Sequence, residues 1–287
     1  MKNITLIITV AFALMLISCT NTKEPKETNT DTTKTKRPEP LNISIYLDLS
    51  DRINPKARPD LKYSQMERDT AVINMIVDKF NNRCKEGTVN DAQHHIKVIF
   101  YPIPDSKDIT EYAAAMEVDM ANLDNGRKKK AVMEMKEKFN SAVAKIYKEA
   151  LDEENWPGSD IWGFFSDMKV DDLCMRKGYR NILVILTDGY LYYEKNKKEE
   201  GDHGHSFVLS ETLRDKDSYL ICKRKGLGDL EVLMLEVNPY PNDESLKNKL
   251  HSVLEGWLTN MEVGKYKIVE TDLPNNTAVY IDNFFKE

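Results

Sequence analysis

Asn42-Ile43-Ser44-Ile45-Tyr46-Leu47-Asp48-Leu49-Ser50-Asp51-Arg52 decides the fold. A run of β-branched and aromatic residues stops abruptly at two acids, a hydroxyl and a base. A second stretch ends the same way: Asn181-Ile182-Leu183-Val184-Ile185-Leu186-Thr187-Asp188-Gly189. Continuous apolar strands of this kind are buried on both faces, as in the centre of a parallel sheet. Each delivers an aspartate where it leaves the core, and ligands of open α/β sheets bind at that carboxyl edge.

Working outward from the first strand, the N-terminus reads as an address. Met1-Lys2 gives a positive start, Ile4 to Ile17 is apolar, and Leu16-Ile17-Ser18-Cys19 closes the segment. The apolar core is short for a bilayer-spanning helix and has the layout of a secretory signal. Its ending resembles a bacterial lipoprotein lipobox. The expectation is a signal peptide over 1–18, removed so that Cys19 carries the lipid, with palmitate-type acyl chains holding the protein to a membrane. Residues 19–40 are Thr, Lys, Glu, Asn and Pro with almost nothing apolar, and read as a disordered tether. That layout places the body in the bacterial cell envelope, on the outer membrane by preference, facing the periplasm or the surface.

Residues 41–287 suffice for one sizeable α/β domain. They hold 35 of the 41 basic side chains and 43 of the 47 acidic ones, a net charge near −8. No basic face is evident, which argues against nucleic acid. Cys84, Cys174 and Cys222 have no CxxC spacing, so neither a disulfide framework nor a zinc site is indicated.

The order of elements follows from periodicity. Ser64-Gln65-Met66-Glu67 is a capping box, and Met66, Ile73, Ile76, Val77 and Phe80 make an amphipathic helix to about Cys84. His95 to Ile103 predicts a second strand. Ala113 to Met120 fits either a helix or an edge strand; the strand is preferred. Arg127 to about Asn155 predicts a long helix with Val132, Met135, Phe139, Val143, Ile146 and Ala150 inward. A short apolar helix follows, with Ile161, Trp162, Phe164, Phe165 and Met168. Phe207 to Leu209 reads as a short strand and Glu211 to about Lys223 as a helix. Glu231 to Val237 predicts another buried strand. A helix marked by Leu246, Leu250, Val253, Trp257 and Met261 follows. The last strand is Tyr266 to Val269, and the last helix Pro274 to Phe285. Strands alternating with helices imply right-handed crossovers and a Rossmann-like, doubly wound, mostly parallel sheet with helices on both faces.

Two strand-end aspartates with hydroxyls make a hard oxygen site suited to Mg²⁺ or Mn²⁺. Ser50 lies two residues past Asp48, and Gly158-Ser159-Asp160 at a helix start can close the site. Here the sequence resembles the von Willebrand factor A-like (vWA) family. That family's metal-ion-dependent adhesion site combines D-x-S-x-S after the first strand, a threonine loop, and an aspartate in L-T-D-G. Asp48-Leu49-Ser50 matches the first element, Ser159 stands in the threonine place, and Leu186-Thr187-Asp188-Gly189 matches the third. The resemblance implies Asp48, Ser50, Ser159 and Asp188 as metal ligands, and a module that binds a protein partner. The second motif serine is Arg52 here. Its guanidinium could bind the carboxylates and substitute for the metal, or it could point away and leave Asp51 or water in its place. Both remain open on the sequence.

The competing expectation is a metal-dependent, phosphoesterase-like hydrolase on the same carboxylates. A His, Lys or further carboxylate beside Asp48 would favour it. No nucleophile elbow, HExxH or P-loop is present, and the preferred reading is a binding module rather than an enzyme. Asp202-His203-Gly204-His205 is a weaker metal candidate. His94-His95, at a strand start, is expected to face solvent or to cap.

Overall fold

The computed structural model describes residues 38–56, 58–152, 158–189, 224–239 and 243–286. The leader, Cys19 and the tether to Arg37 lie outside them. So do the expected elements at Phe207–Leu209 and Glu211–Lys223, the histidine pair 203/205 and Cys222. Among the described residues no helix is long and apolar enough to cross a membrane.

In chain order the elements are β1 (Leu41–Leu47), α1 (Gln65–Lys85), β2 (His95–Ile99), α2 (Lys107–Ala115), β3 (Val118–Asp119) and α3 (Asn125–Asp152). After them come α4 (Ile161–Ser166), α5 (Lys169–Cys174), β4 (Arg180–Leu186), β5 (Leu230–Val237), α6 (Glu244–Asn260), β6 (Lys265–Glu270) and α7 (Pro274–Phe285). The six strands form one sheet in the order β3-β2-β1-β4-β5-β6. All neighbours are parallel except the β2–β3 pair. This is the doubly wound α/β sheet the alternation predicts.

The two central strands are β1 and β4, whose register runs from Leu41 opposite Arg180 to Leu47 opposite Leu186. Period-two alternation sorts their side chains between two cores. Ile43, Ile45, Leu47, Ile182, Val184 and Leu186 face α1, α2, α3 and α7. Tyr46, Leu183 and Ile185 face α4, α5 and α6. Because every residue of β1 is buried, an aspartate can follow Leu47 only where the sheet ends.

The capping box forms at α1. Ser64 accepts from the Glu67 amide, and the Glu67 carboxylate accepts from the Ser64 amide at 2.8 Å. Four boundaries differ from the periodicity reading. The expected strand over Ala113–Met120 is mostly helix: the Ser106 hydroxyl caps α2, alanines favour the helix, and only Val118–Asp119 pairs with β2. β2 stops at Ile99, four residues short of the expected Ile103 and ahead of Pro102. α3 begins two residues earlier, at Asn125. The apolar helix after Ser159 is two helices broken at Met168, whose φ of 60° is left-handed. Phe164 and Phe165 are core, the Tyr46 ring meeting Phe164 edge-on at 5.2 Å, while Trp162 is only partly buried.

The His94-His95 pair is a correction, for both rings are buried. His94 Nδ1 accepts the Leu41 amide at 2.9 Å, which ties the start of β1 to the start of β2. Nδ1 of His95 pairs with Asn42 Oδ1 at 2.7 Å and its Nε2 with Glu117 at 3.0 Å. Burial lowers the His94 pKa to about 4 and lowers that of His95 too. In the unfolded chain His94 titrates near its ordinary value of about 6.5. The unfolded state therefore binds the extra proton between those values. Stability is full above pH 6.5 and falls as pH drops toward 4. At pH 5 the His94 share of the loss is expected to be about 2 kcal/mol. Urea midpoints at pH 7.5 and pH 5 measure it. His94→Asn keeps an acceptor for Leu41 without titrating, and its pH dependence is expected to be flatter. An unchanged slope would remove His94 from this role.

Candidate functional site

The carboxyl edge is assembled from three segments. Asp48 directly follows β1, and its amide donates to the Leu186 carbonyl at 3.1 Å, extending the β1–β4 ladder by one bond. Its side chain is fully buried. Oδ1 accepts the Ser50 amide at 2.8 Å, which folds the chain back after the strand. Oδ2 accepts the Thr187 hydroxyl at 2.7 Å. Thr187 Oγ1 in turn accepts the Gly189 amide at 3.0 Å. The glycine is required here, because its φ is +92° and a Cβ would meet Leu250 at 2.8 Å.

The third segment joins by backbone. Leu49 pairs with Gly158 in an isolated antiparallel bridge, and the Asp160 amide donates to the Tyr101 carbonyl at 2.8 Å. Ser159 Oγ lies 3.0 Å from Tyr46 Oη, which also donates to the Tyr101 carbonyl at 2.6 Å. Burial, chiefly, raises the Tyr46 pKa well above its ordinary value, so the pair is a neutral hydrogen-bonded contact. Asp160 caps α4 by accepting the Gly163 amide at 2.7 Å. The three stretches singled out in the sequence thus meet at one edge. Asp48 and Thr187 touch, Leu49 and Gly158 pair, and Asp188 follows with its carbonyl accepting the Asn238 amide at 3.0 Å. Ser50, Ser159 and Asp188 are all buried. Asp51 opens a short 3-10 turn to Ile53 and is half-buried.

Arg52 turns inward. Its Nε donates to the Asp48 carbonyl at 2.9 Å and lies 3.8 Å from Asp48 Oδ2. One Nη donates both to the Leu186 carbonyl at 2.9 Å and to Asp69 at 2.6 Å. The last carbonyl of β4 and the first carbonyl after β1 are therefore held by one guanidinium. Asp69, on α1, also accepts from Gln65 at 2.9 Å and from the Tyr147 hydroxyl on α3. Burial alone would depress the Arg52 pKa, but the charges of Asp69 foremost, and of Asp48, keep it above its ordinary value. The other terminal nitrogen, Nη1, is buried without a partner.

These residues do not fit a six-oxygen divalent site. Both Asp48 oxygens and the Ser159 hydroxyl already have partners within the fold. The place of the second motif hydroxyl holds a permanent cation. A divalent ion on Asp48 would be repelled by that guanidinium by on the order of several kcal/mol at the effective dielectric of such sites. The orphaned atom is a donor, which calls for an oxygen acceptor rather than a metal.

Sequence reading missed Thr187, Asp69, Gln65 and Tyr147. Asp69 was findable, as an acid inside the apolar stripe Met66, Ile73, Ile76 and Phe80, at helical spacing. At the opposite, amino edge of the sheet lies a groove of about 750 Å³ lined by Glu39, Arg176, Arg180, Glu231 and Lys265 among others. Its arginines are paired, Arg180 with Glu231 at 2.6 Å and Arg176 with Asp119 at 3.0 Å.

No family model matches this chain, and neither does any curated protein. Three solved structures resemble it in outline at 12% identity each. An aerotolerance-related membrane protein from Bacteroides fragilis NCTC 9343 is matched over 85% of this chain and 98% of that one, with a TM-score of 0.37. The pilus adhesin SpaC from Lactobacillus rhamnosus GG is matched over 88% of this chain but only 30% of the adhesin, with a TM-score of 0.40. The conserved hypothetical protein BatB from Bacteroides thetaiotaomicron is matched over 86% and 100%, with a TM-score of 0.34.

Proposed function

We propose that this chain is a membrane-tethered, extracytoplasmic binding module of the vWA type, and that it holds a protein partner at the carboxyl edge of its sheet. One observation carries the reading. Three short stretches, far apart in sequence and resembling that family's site in order, lie at the edge where such sheets bind ligands: Thr187 bonds Asp48, and Gly158 pairs with Leu49. The lipobox-like leader and polar tether support an envelope location, with the head held off a membrane by its lipid.

The environment of Asp48 favours binding over catalysis. Its partners are an amide, a hydroxyl and a buried guanidinium. None of these is a His or Lys, and the further carboxylate in the network, Asp69, is taken up by Arg52, Gln65 and Tyr147 rather than left to act as a base.

The rim offers contact surface for a partner. Ile103 follows β2 and is 72% exposed; Met168 follows α4 and is 58% exposed. They flank Tyr101, whose hydroxyl donates to Asp167 at 2.7 Å. A photocrosslinking residue placed at Ile103 or Met168 is expected to trap one discrete partner in the native host. The same residue at Lys177, exposed at the opposite edge, is expected not to. Equal labelling from both edges, or none from the rim, would contradict the reading.

A further inference from the structure

We infer that Arg52 takes over, from inside the protein, the ordering work that the resemblance assigns to a divalent ion, so that this edge binds its partner without a metal. The inference rests on the vWA-type reading proposed above. A buried carboxylate beside two strand-end carbonyls needs a cation or donors to hold it, and here one guanidinium supplies both. It bonds the Asp48 carbonyl just past β1 and the last carbonyl of β4, and stands 3.8 Å from the Asp48 carboxylate. It is fixed from behind by Asp69, which Gln65 and Tyr147 hold in turn.

The chain Tyr147–Asp69–Arg52–Asp48 crosses from α3 through α1 to the sheet edge. It makes the two helices part of the site. Arg52 is a positioning residue rather than a ligand-contacting one, since its side chain is wholly buried. It acts through Asp48, whose remaining partners are Ser50 and Thr187. A lysine could not replace it, because two carbonyls and a carboxylate are reached in different directions by a planar fork.

The test is titration of the tethered head with Mn²⁺ and Mg²⁺ by calorimetry, with Mn²⁺ also followed by electron paramagnetic resonance. The wild type is expected to show no saturable binding and the same melting temperature in EDTA as in Mn²⁺. The double variant Arg52→Ser/Asp69→Asn restores the family's hydroxyl and removes the acid that Arg52 would leave unpaired. It is expected to gain saturable Mn²⁺ binding and a melting temperature that rises with the metal. Arg52→Lys keeps the charge and is expected to gain neither. Saturable binding by the wild type would overturn the inference while strengthening the vWA-type reading. A folded double variant that gains no binding would overturn it as well. If the double variant does not fold, the wild-type titration decides alone. Failure of the rim crosslinks, by contrast, would count against the binding reading and leave the metal result standing.

Discussion

Arg52→Ala is expected to destabilise the head by about 3–5 kcal/mol, the cost of breaking a buried ion pair by removing one partner. The magnitude follows from what is left behind. Asp69 keeps Gln65 and Tyr147 but loses its cation, while Asp48 and Leu186 each lose a donor to a buried carbonyl. Both side chains of the pair are fully buried, so solvent screening does not soften the loss. Arg52→Ala/Asp69→Asn is expected to recover a large part of it, because the stranded charge is gone. Urea unfolding of the two singles and the double gives the coupling directly. A cost below about 1 kcal/mol, typical of an exposed pair, would mean that water reaches this network.

Arg68→Ala is expected to cost a similar amount, about 3–5 kcal/mol at neutral pH. Arg68 on α1 holds Glu236 of β5 through two nitrogens, at 2.7 and 3.2 Å, and also reaches the Asp272 carbonyl. Glu236 sits at a φ of 68°, where the β5–β6 register shifts between Met234 and Val237. A non-glycine residue in that region is strained, and the ion pair with Arg68 keeps it there. Burial raises the Glu236 pKa even with Arg68 present, and removing Arg68 raises it further. An acid whose folded pKa lies above its unfolded one favours the folded state at low pH, and that advantage is lost as pH rises through the folded value. The Arg68→Ala penalty is therefore expected to shrink on acidification, as Glu236 takes up its proton. A penalty that is flat between pH 5 and pH 8 would show that Glu236 is not the stranded charge.

Most of the sheet was legible because its central strands are extreme. A strand with every residue buried has no alternative to a two-faced core. The Ser64-to-Glu67 box was equally plain, since its chemistry is local. Local patterning failed where tertiary partners decide. The alternation of Met116, Val118 and Met120 mimics a strand, yet only two residues there find a neighbour to pair with. His94 and His95 look like surface polar residues until the start of β1 is known to need an acceptor. The site was legible in part for the same reason. Asp48, Ser159 and Asp188 lie in short motifs at strand and helix ends. The cation beside Asp48 is Arg52, held in place by Asp69 of the first helix and, through it, by Tyr147 of the third, and no sequence spacing joins those three. The departure at Arg52 was visible in the sequence, but its inward direction was not.

Under the inference drawn above, charges inside the fold rather than a bound ion hold the Asp48 edge in order. Amide hydrogen exchange tests it most directly at Ser50 and Gly189, whose N–H groups donate to Asp48 Oδ1 and Thr187 Oγ1. Both amides are expected to be protected to the same degree in EDTA and in millimolar Mg²⁺, and to lose protection in Asp69→Asn while Ile43 to Tyr46 stay protected. Protection that is weak in EDTA and appears only with Mg²⁺, or that survives Asp69→Asn unchanged, would contradict the claim.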